Sequence, residues 1–436
     1  MAIDFSKFKK VHFIGIGGIG ISAIARMMHL EGKEVTGSDR DHSEVTHELE
    51  KLGIKVVIGQ EADNIEPKTD LVIYTVAIPE DNPELMKAHE LGIETITYPQ
   101  ALGAISEQKY TIAISGAHGK TTTTAMLAKV LMDAKLDPTV VVGSFLKDAK
   151  SNFVAGKGEY LVAEACEYKR SFLNLSPRVL VITNIDDDHL DYYKDIEDIK
   201  SAFVEMIGKI PKDGHLVCDL EQPHIADVAR KATCNVVDYE LFGNMNLELQ
   251  VPGDHNLSNA AAVLAVADIL HIPRKQAEQS LKAFSGTWRR FEYKGTTKTG
   301  ALVYDDYGHH PTEVRATLKG ARSMFPGKRI TVVFQPHLYS RTKQHLHEFA
   351  KAFTDADNVI LAPIYPAREP FDSTISSDMV ALEIVKHGGI ANAFADLNAV
   401  ELHARKELGS DKDVLITMGA GDIYKIGEKL VAQAAE

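Results

Sequence analysis

The stretch Ile114-Ser115-Gly116-Ala117-His118-Gly119-Lys120-Thr121-Thr122-Thr123-Thr124 decides the fold. It follows an apolar, strand-like run, Tyr110 to Ile114, and precedes a helix-like run, Ala125 to Ala134. A glycine-rich turn between a strand and a helix start aims several backbone N–H groups at one spot, and the helix dipole adds to the pull on an anion. Lys120 is then expected to meet the β- and γ-phosphates of a nucleoside triphosphate, with the Thr121 hydroxyl on Mg²⁺. Gly116, His118, Gly119, Lys120, Thr121 and Thr122 are the expected ATP contacts of this loop. The spacing is shorter than in the general phosphate loop: Ile114 stands where that pattern has its first glycine, and here the glycine is Gly116.

Outward from this loop the chain reads as an α/β protein of three domains. A Rossmann-like N-terminal domain is expected over 1–106, a central P-loop ATPase-like domain with a mainly parallel sheet over 107–284, and a C-terminal Rossmann-like α/β domain over 285–436. The first opens with a strand, Lys10 to Gly15, then Gly15-Ile16-Gly17-Gly18-Ile19-Gly20, a helix to about Glu31, and a strand ending at Gly37-Ser38-Asp39. This Gly-x-Gly-x-x-Gly turn with a downstream acid suits a nicotinamide dinucleotide. A UDP-sugar meets the same geometry, with its diphosphate on the helix start and Asp39 on the nucleoside. Further strands are expected at 55–58, 70–75 and 94–98.

In the central domain, strands are expected at 110–115, 139–143, 159–164 and 179–184 with helices between them. Ligands sit beyond the carboxyl ends of such strands. Glu164, Asn184 and the turn Asp186-Asp187-Asp188-His189 fall there. A carboxylate and a histidine beside a triphosphate suggest metal ligands. The three aspartates taken singly read as an acidic surface turn, and Cys166 as a small near-core residue. In the third domain Gly286 to Arg290 reads as a hinge segment, and polar groups again gather at strand ends: Asp305 to His310 and Gln335-Pro336-His337.

The 436 residues are 44% hydrophobic and 25% charged, with a formal net charge of -13. This balance suits a soluble globular protein and disfavours non-specific binding to nucleic acid or anionic membranes. No apolar run reaches membrane-spanning length, and Met1 to Lys10 has no signal-peptide core. Cys166, Cys218 and Cys234 show neither metal spacing nor a disulfide framework, so a cytoplasmic location is expected. Nothing in the sequence sets the oligomeric state.

Together these motifs resemble the Mur ligase family, the ATP-dependent ligases that build the peptide stem of peptidoglycan. The segments that carry the resemblance span nearly the whole chain: His12 to Gly20, Gly37-Ser38-Asp39, Gly116 to Thr124, Thr183-Asn184-Ile185 with Asp188-His189, Pro252 to Asn256 with Asn259, Arg289-Arg290-Phe291, Asp305 to Glu313, and Phe334 to His337. The resemblance implies a UDP-sugar site at Gly15, Gly17, Gly18, Gly20, Ser38 and Asp39. It implies ATP bound with Mg²⁺, the metal held by Thr121, Glu164 and His189. Asn256 and Asn259 match a pair that contacts the base, and Arg290 and Asp306 match residues that close over ATP. His309 and Arg341 fall where the incoming amino acid is held. The implied catalytic set is Lys120, His189, Arg290, Asp306 and His309.

Some positions depart from the family pattern. Cys166 and Lys169 replace two acidic residues, which leaves Glu164 as the expected ligand of that segment. Leu338 stands where some members carry arginine. Phe203 stands where sister ligases carry a carbamylated lysine, with Lys200 nearly one turn earlier. That difference favours the branch adding L-alanine to UDP-N-acetylmuramate. The alternatives are a ligase recycling murein peptides onto the same UDP-sugar, a nicotinamide-dependent oxidoreductase and a non-catalytic UDP-sugar binder.

Overall fold

The computed structural model describes residues 3–146, 151–190, 192–243, 246–367 and 369–432. The chain groups into two compact units, Met1–Leu247 with Ser258–Ala283, and Glu248–Leu257 with Phe284–Glu436. The first unit holds two sheets and the second holds one. The short segment Glu248–Leu257, expected within the central domain, groups with the C-terminal unit.

The first sheet contains β1 (Lys10–Ile14), β2 (Glu34–Asp39), β3 (Lys55–Ile58), β4 (Leu71–Tyr74) and β5 (Glu94–Thr97). Its order is β3-β2-β1-β4-β5, parallel throughout. The strand order reverses between β1 and β4, which opens a crevice at their carboxyl ends. The glycine turn after β1 lies there. Helix Ile19–Leu30 follows, burying Ile21, Ile24, Ala25 and Met28 at helical spacing.

The second sheet contains β6 (Tyr110–Ser115), β7 (Thr139–Leu146), β8 (Ser151–Val154), β9 (Tyr160–Glu164), β10 (Val179–Ile182), β11 (His215–Cys218) and β12 (Asn235–Asp238). The order β12-β11-β10-β6-β9-β7-β8 puts β6 between β9 and β10. The phosphate loop, Glu164 and Asn184 therefore emerge side by side. The four residues of β10 are fully buried, as in a parallel strand covered on both faces. Two connections differ from the expected helices. β7 turns back through antiparallel β8, and β9 joins β10 through the 3₁₀ segment Tyr168–Asn174. β8 also ties the two sheets together. The Asn152 side-chain amide donates to the Ile19 carbonyl and lies 2.9 Å from Ser22 Oγ, both in the first turns of helix Ile19–Leu30.

The second unit contains β13 (Glu292–Thr296), β14 (Leu302–Asp306), β15 (Arg329–Phe334), β16 (Asn358–Leu361), β17 (Ala391–Ala393) and β18 (Asp413–Met418). Their order is β13-β14-β18-β15-β16-β17, with β13 antiparallel to β14 and the other pairings parallel. Alternate residues feed two cores. Val332 and Phe334 pack with Phe349 and Phe353 on one face, while Val333 packs with Ile360 and Val400 on the other. Each such fully buried side chain contributes roughly 1.5–3 kcal/mol.

Candidate active site

Gly116 and Gly119 shape the phosphate loop, at φ 129° and 83°. A Cβ on Gly116 would stand 2.2 Å from Thr183 Oγ1, and one on Gly119 would stand 2.6 Å from Asn259 Oδ1. Neither position accepts a side chain without a shift of its neighbours. Gly119 is the N-cap of helix Lys120–Asp133 and supplies no side-chain cap. Gly18 stands in the same relation to helix Ile19–Leu30. Two helix starts therefore keep uncapped first-turn N–H groups, the arrangement that receives a phosphate.

Asn184 braces the phosphate loop. Its Oδ1 accepts from the His118 N–H at 2.8 Å, and its amide donates to the His118 carbonyl at 2.9 Å. Asp186, expected on a plain surface turn, has Oδ2 3.1 Å from His118 Nε2. Thr121 Oγ1 donates to Glu164 Oε2 at 2.9 Å, and the Gly143 N–H donates to the same oxygen at 2.8 Å. The expected metal pair Thr121 and Glu164 is thus in direct contact. Asn259 packs against Gly119, whereas the Asn256 amide donates to the Pro252 carbonyl at 2.7 Å.

Lys120 donates to the carbonyls of Gly116 and Ala117 and to Glu167 Oε1, the last at 3.1 Å. Burial pulls the ammonium down, but the Glu167 and Glu164 carboxylates outweigh it and hold it above the ordinary lysine range. Sequence reasoning missed Glu167. Its one signal is an acidic residue three positions beyond Glu164, and its partner Lys120 lies 47 positions away. His189, at φ 58°, brings Nε2 to 3.6 Å from Glu167 Oε1 and sets its ring 4.8 Å from that of Tyr168, tilted by 44°. Cys166 is exposed, not near-core as expected.

At the first glycine turn, Asp39 Oδ2 accepts from the Gly17 N–H at 2.7 Å, and Oδ1 accepts from the Arg40 N–H at 2.8 Å. Asp39 therefore fixes the turn itself. Ser38, expected to face the UDP-sugar, is fully buried, and its hydroxyl donates to the Glu84 carboxylate at 2.5 Å. The hydroxyl is thus engaged inside the first unit, and the Ser38 carbonyl accepts from the Gly15 and Ile16 N–H groups of the glycine turn, each at 2.9 Å. Gly20 lies against Tyr98, whose ring a Cβ there would meet at 2.6 Å.

In the second unit, Arg289 is structural. It is buried, donates to Asp305 at 2.8 Å and to the carbonyls of Gly421 and Gly419 at 2.9 and 2.6 Å, and lies over the Tyr424 ring. Its neighbour Arg290 lies over the Tyr307 ring, 5.2 Å from the centroid. Asp306 is buried, which pushes its carboxyl up, and it accepts from the N–H groups of Phe291 and Gly308, each at 2.8 Å. It thereby pins the segments that carry Arg290 and His309. His309 stacks edge-on to His337 at 5.4 Å, and His337 Nδ1 lies 3.0 Å from Arg341 Nη1. The three residues form one cluster at the ends of β14 and β15. Leu338 is buried at φ 68° and caps the helix that carries Arg341.

Three doubly wound sheets, two of them ending in glycine-capped helix starts, define a phosphate-loop α/β protein. The chain belongs to the Mur ligase family. Residues 10–110 match the description "Mur ligase family, catalytic domain", 114–245 match "Mur ligase middle domain", and 289–421 match "Mur ligase, glutamate ligase domain". A UDP-N-acetylmuramate--L-alanine ligase of Clostridium kluyveri is 44% identical, with 99% of this chain and 100% of that protein covered. The crystal structure of a UDP-N-acetylmuramate-alanine ligase from Thermotoga maritima superposes with a TM-score of 0.83 at 30% identity, covering 98% of this chain and 100% of that one. A murein peptide ligase from Psychrobacter arcticus shares the fold at a TM-score of 0.73 and 23% identity, covering 98% and 99%.

Proposed function

We propose that this chain is an ATP-dependent ligase that joins L-alanine to the carboxylate of UDP-N-acetylmuramate through an acyl phosphate, in peptidoglycan biosynthesis. The observation that carries the reading is full-length similarity to UDP-N-acetylmuramate--L-alanine ligase at 44% identity. The site chemistry agrees with it. The domain limits that suit this division of labour are 1–106 for the UDP-sugar, 107–284 for ATP, and 285–436 for the amino acid.

The sugar carboxylate is a poor electrophile until it is phosphorylated. Its oxygen attacks the ATP γ-phosphorus and ADP leaves. The alanine amine then attacks the acyl carbon, and phosphate leaves from the tetrahedral intermediate. Two anions must meet in the first step, so the ammonium of Lys120 and the N–H groups behind Gly119 offset their repulsion. Thr121 and Glu164 offer hard oxygen donors in contact with one another, which suits Mg²⁺, and the imidazole of His189 is the third proposed ligand. A bound Mg²⁺ would neutralise phosphate charge. The glycine turn of the first sheet, held by Asp39, takes the UDP diphosphate on Ile19–Leu30. Asn256 and Asn259 serve the base. Arg290, with Asp306 behind it, adds positive charge beside ATP. His309 accepts the amine proton and Arg341 holds the alanine carboxylate. The reaction belongs in the cytoplasm, where ATP is supplied. Among the described residues no helix is long and apolar enough to cross a membrane.

Phosphate release with ATP, Mg²⁺ and UDP-N-acetylmuramate across a panel of amino acids and murein peptides tests the assignment. L-alanine should give the highest kcat/KM. Release driven by a murein peptide and not by free alanine would assign the recycling reaction, and hydride transfer with NAD would overturn the ligase reading.

A further inference from the structure

Lys120 has no donor to spare. A lysine ammonium carries three N–H donors. They meet the carbonyls of Gly116 and Ala117 and the Oε1 of Glu167. The side chain that must reach a phosphate is therefore fully engaged by its own protein.

Glu167 is built to stay where it is. It is 3% exposed. Its carbonyl accepts from the Tyr193 hydroxyl at 2.5 Å and from the Arg170 N–H at 2.9 Å. Lys169 and Arg170 just after it sit at φ 50° and 55°, which residues with side chains adopt only when their surroundings force it. Among the described residues, Glu167 Oε2 is buried with no hydrogen-bond partner. A buried carboxylate half-satisfied in this way is tolerated because an opposite charge lies against it, and here that charge is Lys120.

We propose that Glu167 occupies the place of a phosphate: it is a positioning residue that holds Lys120 against its own loop until a nucleoside triphosphate displaces it. The inference rests on the ligase reading above. Carboxylate and phosphate compete for one ammonium, so the apparent affinity for nucleotide falls by the fraction of molecules in which Lys120 is held. The exchange also keeps a buried cation neutralised before and after nucleotide entry.

The test is calorimetric titration of the full chain with ATP in excess EDTA, so that no metal takes part. Glu167→Gln keeps an acceptor and removes the charge. It should tighten ATP at least about fivefold, and the gain should vanish in a Lys120→Met background. In a crystal structure of the wild-type chain with ATP, Lys120 Nζ should have left Glu167. An unchanged or weaker affinity in a Glu167→Gln variant that melts like wild type would overturn the proposal. So would a gain that persists without Lys120, or an ion pair still closed with ATP bound. The crystal structure decides the matter if the variant fails to fold. A wild-type chain that binds no ATP, with or without Mg²⁺, would overturn the ligase reading and this inference with it.

Discussion

At the scale of single residues, two basic side chains have opposite kinds of importance. Lys120 is proposed to act on the substrate phosphates. Lys120→Ala should lower kcat at least a hundredfold, about 3 kcal/mol of transition-state stabilisation. More than a tenth of wild-type turnover in a phosphate-release assay would remove it from the catalytic set. Arg289 acts on the fold. Its removal strands the buried Asp305 carboxylate and two carbonyls. Arg289→Ala should destabilise the second unit by about 3–5 kcal/mol, read as a shift in the urea midpoint, and Arg289→Lys should not restore it, because a single ammonium nitrogen cannot stand in for the three separate guanidinium nitrogens that meet these acceptors. The sequence placed Lys120 readily, since a glycine-rich turn between strand and helix is a local signal. It left Arg289 undecided and Glu167 unread. The partners of both are distant: Glu167 meets Lys120 across 47 positions, and Arg289 meets Gly421 across 132. The hydroxyl of Ser38 is a related case, meeting Glu84 across 46 positions. Its position beside Asp39 is local, but which way it points depends on Glu84.

Among elements, strands β1 to β7, β9 and β10 were legible because each is a short apolar run before a polar turn, whereas β11, β12, β16 and β17 were not anticipated. Nor was the β7–β8 hairpin. Ser151–Val154 is four residues long, and its register with β7 shifts between Val141 and Leu146, so no alternation marks it. Yet this hairpin connects the two glycine turns. Asn152 on β8 holds the Ile19 end of the helix behind the first glycine turn. Gly143 on β7 donates to Glu164, which in turn accepts from Thr121. The hairpin therefore sets the first glycine turn relative to the phosphate loop, and with it, in the proposed division of roles, the place of the sugar nucleotide. Asn152→Ala removes the hold on the helix and leaves β7 in place. It should cost about 1 kcal/mol of stability and raise KM for UDP-N-acetylmuramate several-fold more than KM for ATP. Equal rises in steady-state kinetics, or none, would mean that helix packing alone fixes the geometry.

For the whole molecule, the constraint is the acyl phosphate. It is hydrolysed if water reaches it, yet two substrates must enter to form it and a third must reach it afterwards. The proposed roles are divided between the units: Lys120, Thr121 and Glu164 belong to the first, and Arg290, His309 and Arg341 to the second. The division predicts a kinetic split. Arg341→Ala should raise KM for L-alanine far more than KM for ATP. Equal rises would deny Arg341 a dedicated part in holding the amino acid. The division also predicts motion. The chain passes from the first unit into the second between Ala283 and Phe284, and Gly286 just beyond, at φ 91°, has no side chain to resist a change of backbone angle. Binding of an ATP analogue together with UDP-N-acetylmuramate should draw the units into a more compact state than either ligand alone, because the acyl phosphate needs both ligands and shelter at once. Small-angle scattering reads this as a fall in the radius of gyration on saturation with both. An unchanged radius, with binding of both ligands confirmed by calorimetry, would mean that the reacting groups are already assembled without ligand and that water is excluded by the substrates themselves.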